Sequence, residues 1–395
     1  MNFESQYICK DIWKDIIISI AALFILIFIN PVLSLFLFSL YFINKKDSRS
    51  IYAIQILLFI YCFIFTVAFS SRIYGFSLLD INDDAPGYYL WYRDIVVNND
   101  YNILREFVLW VPVLIISFFN GVVSSGVFYV IIYSYIFILI FFICRHFKNL
   151  SLSYLFCFVF LFQVDVYQVA HIFRQVIGML FFILYIISAI DNKSKRKTYL
   201  FLFLSFFSHN IFGLIGAACE VVRFFSKRKL NVSNIVCFLL VFILTSLSFR
   251  YFINIPDIAF KIDYYTKGDY SPKLFDKQGL MILILNIIAF LTAYNNKIRS
   301  FCISFFIIQL CFMLYGNWSF LARINMILLP CSFLVMFYSI VMLDNKLSYV
   351  KNIIVTVFLS VGLVYTIYVY SLDQFTMISL LSNGKFNNLI VPFPF

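Results

Sequence analysis

The stretch HIFRQVIGMLFFILYIISAIDNKSKRK, residues 171–197, decides how the chain must be read. Between Arg174 and Asp191 it carries no charge, and it then turns basic at Lys193, Lys195, Arg196 and Lys197. A transmembrane helix needs about 20 mostly apolar residues. Short loops rich in Lys and Arg stay on the cytoplasmic side of such a helix. The stretch therefore predicts a span whose outer end carries His171 and Arg174.

The same alternation of apolar run and basic break extends in both directions. The chain is 63% hydrophobic and 12% charged, a balance outside that of soluble domains, so one all-α, polytopic integral membrane domain over 1–395 is expected. Lys45, Lys46 and Arg49; Arg145 and Lys148; Lys227, Arg228 and Lys229; Lys297 and Arg299; and Lys346 and Lys351 punctuate the runs. The net charge of +11 is explained by topology in this way, and no nucleic-acid partner is expected. Placing the basic breaks in the cytoplasm gives about 12 spans, near 16–43, 51–71, 126–144, 150–169, 172–190, 198–208, 211–225, 232–249, 279–294, 300–316, 324–343 and 353–371. Both termini then fall outside the cytoplasm. The first span contains Asn30-Pro31, which predicts a kink, and no small-residue cleavage site follows it, so it is expected to stay in the protein. The cysteines lie mostly within apolar runs, without the spacing of a metal site or disulfide framework, and read as small core residues.

The segment 198–225 is too long for one ordinary span. It has basic clusters at both ends and Ser208-His209-Asn210 near its middle. Two short helices meeting at that tripeptide return both basic ends to one side; the plainer alternative is one long tilted helix. Two larger outer loops are expected, 72–125 and 250–278. The first holds acidic residues, among them Asp83 and Asp84, beside Tyr88, Tyr89, Trp91 and Tyr92. Its apolar part, Phe107 to Phe119, reads as interfacial or re-entrant, because a crossing there would put Arg145 and Lys148 outside. No internal repeat is evident. Gly121 and Gly126 are followed by Val127 rather than by a phosphate-binding lysine, so nucleotide hydrolysis is not expected to drive the protein.

The polar residues of the apolar runs are the candidates for chemistry. His171 and Arg174 are three apart and share a helical face; the plain readings are a local hydrogen bond and headgroup snorkelling. His209 lies deep in its segment, where a satisfied buried histidine and a catalytic one are both open. Arg174, Arg250 and Arg323 all fall at outer ends of apolar runs, and guanidinium forks suit phosphate oxygens. Asp84 is a candidate general base.

In order along the chain, these motifs resemble those of the Wzy/EpsG-like family of bacterial polysaccharide polymerases, the enzymes that extend O-antigen and related glycans. DDAPGYYLWY resembles the family's acidic-tyrosine loop, with Tyr88 four positions after Asp84 here. FRQVIGMLFF resembles its Arg-Gln helix start, SFFSHNIFGLI its mid-span histidine motif and FKIDYYTKGDY its tyrosine-rich outer loop; ARINMILLP and NNLIVPFPF complete the order. The resemblance implies a GT-C-like architecture in the bacterial inner membrane, with an active site facing the periplasm. It implies transfer of a growing glycan from undecaprenyl diphosphate to a lipid-linked oligosaccharide repeat unit, without cofactor or metal. His171, His209 and Asp84 would be catalytic, Arg174, Arg250 and Arg323 would hold the diphosphate, and Tyr88, Tyr89, Tyr264 and Tyr265 would meet sugars. Membrane lipids and a polysaccharide chain-length regulator are the implied partners. An O-antigen ligase and a lipid-linked oligosaccharide flippase are the competing functions; the clustering of charges toward one side disfavours the flippase.

Overall fold

The computed structural model describes residues 50–70, 85–98, 107–146, 172–226, 277–314 and 318–341, with isolated positions between 34 and 38 and between 353 and 360. Among the described residues every regular element is a helix. They are α1 (Ser50–Ser70), α2 (Ala85–Asn98), α3 (Val111–Asn120), α4 (Ser125–His146), α5 (Phe173–Ile190), α6 (Lys195–Ser208), α7 (Ile211–Ser226), α8 (Lys277–Thr292), α9 (Asn296–Leu314) and α10 (Trp318–Val341). Two of them, over Ser125–Arg145 and Phe173–Ile190, are long and apolar enough to cross a membrane. Eight of the expected runs coincide with helices α1 and α4 to α10; those near 16–43, 150–169, 232–249 and 353–371 lie essentially outside the described residues.

The stretch expected to be the first larger outer loop holds regular structure, and one of its helices falls on the apolar part expected to be interfacial or re-entrant. It contains α2 and α3. Pro86 suits the first turn of a helix, and Tyr88, Tyr92 and Ile95 recur at helical spacing to bury one face. Helix α3 has Pro112 in its first turn and ends at Gly121, whose φ of 69° favours glycine. Its 10 residues reach about 15 Å, half of the ~30 Å bilayer core. That length suits an interfacial or re-entrant segment.

The chain divides into two compact units, residues 1–176 with 352–395, and residues 177–351. In the first, α4 packs on α1 and on α3. Aromatic rings fill the α1–α4 contact: Phe65 stacks on Phe137 at 6.0 Å and Phe69 meets Tyr133 at 5.4 Å. Tyr92 ties α2 to the segment beyond it, sharing a hydrogen bond with the Ser117 hydroxyl at 2.6 Å and accepting one from the Val123 N–H at 2.8 Å.

In the second unit, α6 packs on α7, α7 on α9, and α8, α9 and α10 on one another. The α5–α6 turn is built by local chemistry. Asn192 takes φ 57°, the left-handed conformation that asparagine tolerates, and the Lys193 N–H returns to the Ser188 carbonyl at 3.0 Å, which closes a Schellman cap. Two residues on, the Ser194 hydroxyl caps α6 by accepting from the Lys197 N–H. Lys297 donates to the Ala189 carbonyl and to Asn192, and Tyr338 donates to Asp191. The basic end of α5 is thereby tied to α9 and α10.

Helices α8 and α10 run parallel, since Gly279 sits against Asn325 and Thr292 bonds Ser339 at 2.9 Å. Their contact carries Asn325 and Ser339, both buried. Gln309 of α9 closes one end, donating to the Asn325 side chain at 3.1 Å and the Gly279 carbonyl at 3.4 Å. Small and amide side chains of this kind hold helices together where lipid supplies no hydrophobic contrast.

Candidate functional site

Arg174 is the second residue of α5, a poor place for a cation, because the positive end of the helix dipole repels it by about 0.3–1 kcal/mol. The surroundings compensate. Its guanidinium carbon lies 5.4 Å from the Tyr88 ring and 5.0 Å from the Trp91 ring, and its Nε–H donates to the Tyr88 hydroxyl at 3.4 Å. Tyr88 and Trp91 are three apart on α2 and stand perpendicular, with centroids 5.3 Å apart. They make a corner into which the guanidinium fits.

That corner is braced from behind. Phe173 lies 5.2 Å from the Tyr88 ring and Trp110 lies 6.4 Å from it, while Tyr133 of α4 meets Phe173 edge-on at 5.3 Å. Tyr88 is 1% exposed and Trp91 37% exposed. An aromatic core thus holds a half-buried arginine near the start of α5. Chemically, the arrangement presents a fixed planar cation suited to phosphate.

Of the residues singled out from the sequence, the structure brings together Arg174 and Tyr88. Tyr89, one position on, turns elsewhere: its hydroxyl donates to the Val123 carbonyl at 3.2 Å and its ring packs on Phe128. Arg323 lies in the first turns of α10. Asp84, His171, Arg250, Tyr264 and Tyr265 lie outside the described residues.

In the second unit, His209 stands where α6 stops and α7 begins. Its backbone is extended at φ −160°, ψ 119°, so the two helices are separate, as the polar tripeptide predicts. Its Nδ1 accepts from the Ile211 N–H at 3.4 Å, and its ring lies edge-on to Phe212. An imidazole that accepts at Nδ1 carries its proton on Nε2 when neutral. In this arrangement the N–H of a neutral His209 is at Nε2.

A further polar cluster escaped the sequence reading. Glu220 of α7 accepts from the Tyr185 hydroxyl and pairs with Arg223. Tyr199 approaches Glu220 at 3.5 Å, and Arg223 also lies over the Phe301 ring at 5.6 Å. The signal was present in GAACEVVRFF, an acid and a base three apart inside an apolar run. That spacing puts them on one helical face.

A family model described as the EpsG family matches residues 60–380 of the chain. Comparison with the curated proteins and with the solved structures finds no match.

Proposed function

The chain belongs to the EpsG family, a Wzy-like polymerase family, and from that membership we infer that it is a membrane glycosyltransferase of the O-antigen polymerase type. The donor is a growing glycan on undecaprenyl diphosphate, and the acceptor is the nonreducing sugar of a lipid-linked repeat unit. The acceptor hydroxyl oxygen bonds to the anomeric carbon of the donor sugar as the bond from that carbon to the diphosphate breaks. The hydroxyl proton passes to a base, for which Asp84 and His171 are the candidates, and undecaprenyl diphosphate leaves as an anion.

Arg174, Arg250 and Arg323 neutralise that anion, since fixed cations aimed at developing charge lower the barrier. His209, in the tautomer described above, serves as a hydrogen-bond donor. Tyr89, Tyr264 and Tyr265 meet sugar rings. Tyr88, whose ring is enclosed, contributes its hydroxyl to Arg174. The proposal includes about twelve spans in a GT-C-like arrangement, residence in the bacterial inner membrane, a site facing the periplasm and a chain-length regulator as partner.

The observation that supports this reading best is the aromatic corner around Arg174. It stabilises a cation at a helix start where helix stability alone disfavours one. The test is to incubate the purified protein with a lipid diphosphate-linked repeat unit and resolve the products on a gel. A ladder of longer glycans is expected, lost in Arg174→Ala at normal membrane abundance. A ladder that survives the substitution overturns the diphosphate assignment, and transfer to lipid A core alone indicates a ligase.

A further inference from the structure

We propose that Trp91 is a positioning residue for Arg174 and so sets how tightly the chain holds a prenyl diphosphate; this rests on the reading of Arg174 as the diphosphate contact. An arginine side chain has several rotatable bonds, and ordering it on binding weakens affinity. Here much of that ordering is done in advance. The Nε–H is turned to the Tyr88 hydroxyl, so the edge that suits a bidentate phosphate is the one formed by the two Nη nitrogens. The Trp91 ring lies closer to the guanidinium carbon than the Tyr88 ring does, 5.0 Å against 5.4 Å. Tryptophan also has the strongest cation-attracting face of the aromatic residues.

Tyr88 is packed between Phe173, Trp110 and Trp91 and forms one wall for the guanidinium. Trp91 stands at 90° to that wall and forms a second. Trp91 is the exposed member of the pair, at 37%, against 1% for Tyr88.

The experiment measures binding of farnesyl diphosphate to the full chain in detergent by titration calorimetry, with farnesol as the control that lacks the anion. Arg174→Ala should abolish the diphosphate-dependent part. Trp91→Leu, which keeps an apolar side chain and removes the ring, should weaken binding about three- to tenfold. Trp91→Phe should bind within about twofold of the wild type. In the Arg174→Ala background, Trp91→Leu should add nothing.

Should Trp91→Leu fail to fold, global replacement of tryptophan by a trifluorinated analogue keeps the shape and weakens the ring face. Affinity should then fall in the wild-type chain and hold in Trp91→Phe. Loss of binding in Arg174→Ala with unchanged affinity in Trp91→Leu, or in the fluorinated wild type, overturns the proposal and leaves the diphosphate reading standing. An equal loss on Trp91→Leu with and without Arg174 also overturns it. If Arg174→Ala binds like the wild type, the diphosphate reading itself falls, and this inference with it.

Discussion

At the scale of single residues, packing in this chain leaves little slack where helices approach closely. A Cβ on Gly178 would lie 2.6 Å and 2.7 Å from ring atoms of Phe212. The Ser205 hydroxyl also donates to the Gly178 carbonyl at 2.9 Å. Gly178→Ala should therefore lower stability by about 1–3 kcal/mol, the usual cost of overpacking, read as a lower unfolding temperature in detergent. Gly216 contrasts with it, because the atoms its Cβ would meet are the methyl groups of Leu202, which can rotate away; Gly216→Ala should be the milder change. The Glu220–Arg223 pair makes a second prediction. Glu220→Leu removes the acceptor shared by Tyr185 and Arg223, a loss of about 1.5–3 kcal/mol for hydrogen bonds to a charged group. Glu220→Leu with Arg223→Leu should recover part of that loss, because the half-buried guanidinium no longer lacks its partner. Thermal unfolding of the two variants side by side checks both the sign and the recovery.

At the scale of elements, the break between α6 and α7 orders the middle of the chain. Lys195→Cys and Lys227→Cys should both react with an impermeant maleimide from one side of the membrane, and Asp84→Cys from the opposite side; labelling of Lys195→Cys and Lys227→Cys from opposite faces would favour a single crossing helix. The break was legible in the sequence because a polar tripeptide between two basic ends leaves few other topologies. The α5–α6 turn was marked by DNKS, since asparagine tolerates positive φ and serine caps helices. Helix α2 was not legible. Its acidic and aromatic residues resemble a ligand-binding loop, and the helical spacing of Tyr88, Tyr92 and Ile95 emerges only when each is seen to be buried. The aromatic corner was hidden for the same reason: Trp91 and Arg174 are far apart in sequence, and α2 must be helical before Tyr88 and Trp91 share a face. Glu220 and Arg223 were overlooked because the apolar run around them dominates any reading by composition.

At the scale of the whole molecule, membrane character follows from composition and from the two long apolar helices, while the family match extends across most of the chain. Composition depends on no particular side chain and is readable at once, whereas the family resemblance is carried by short motifs such as FRQVIGMLFF and SFFSHNIFGLI taken in order. The three arginines belong to this scale too, because their proposed convergence on one diphosphate depends on how spans assemble. Arg250→Ala and Arg323→Ala should each reduce glycan extension in the ladder assay at normal membrane abundance, and full activity in either variant would remove that residue from the diphosphate set. Helices α6 and α7 have 14 and 16 residues, about 21 and 24 Å of helix, against a ~30 Å bilayer core. In the proposed topology, with both basic ends in the cytoplasm, neither helix crosses that core by itself, so α6 and α7 would have to enter the bilayer together as one hairpin.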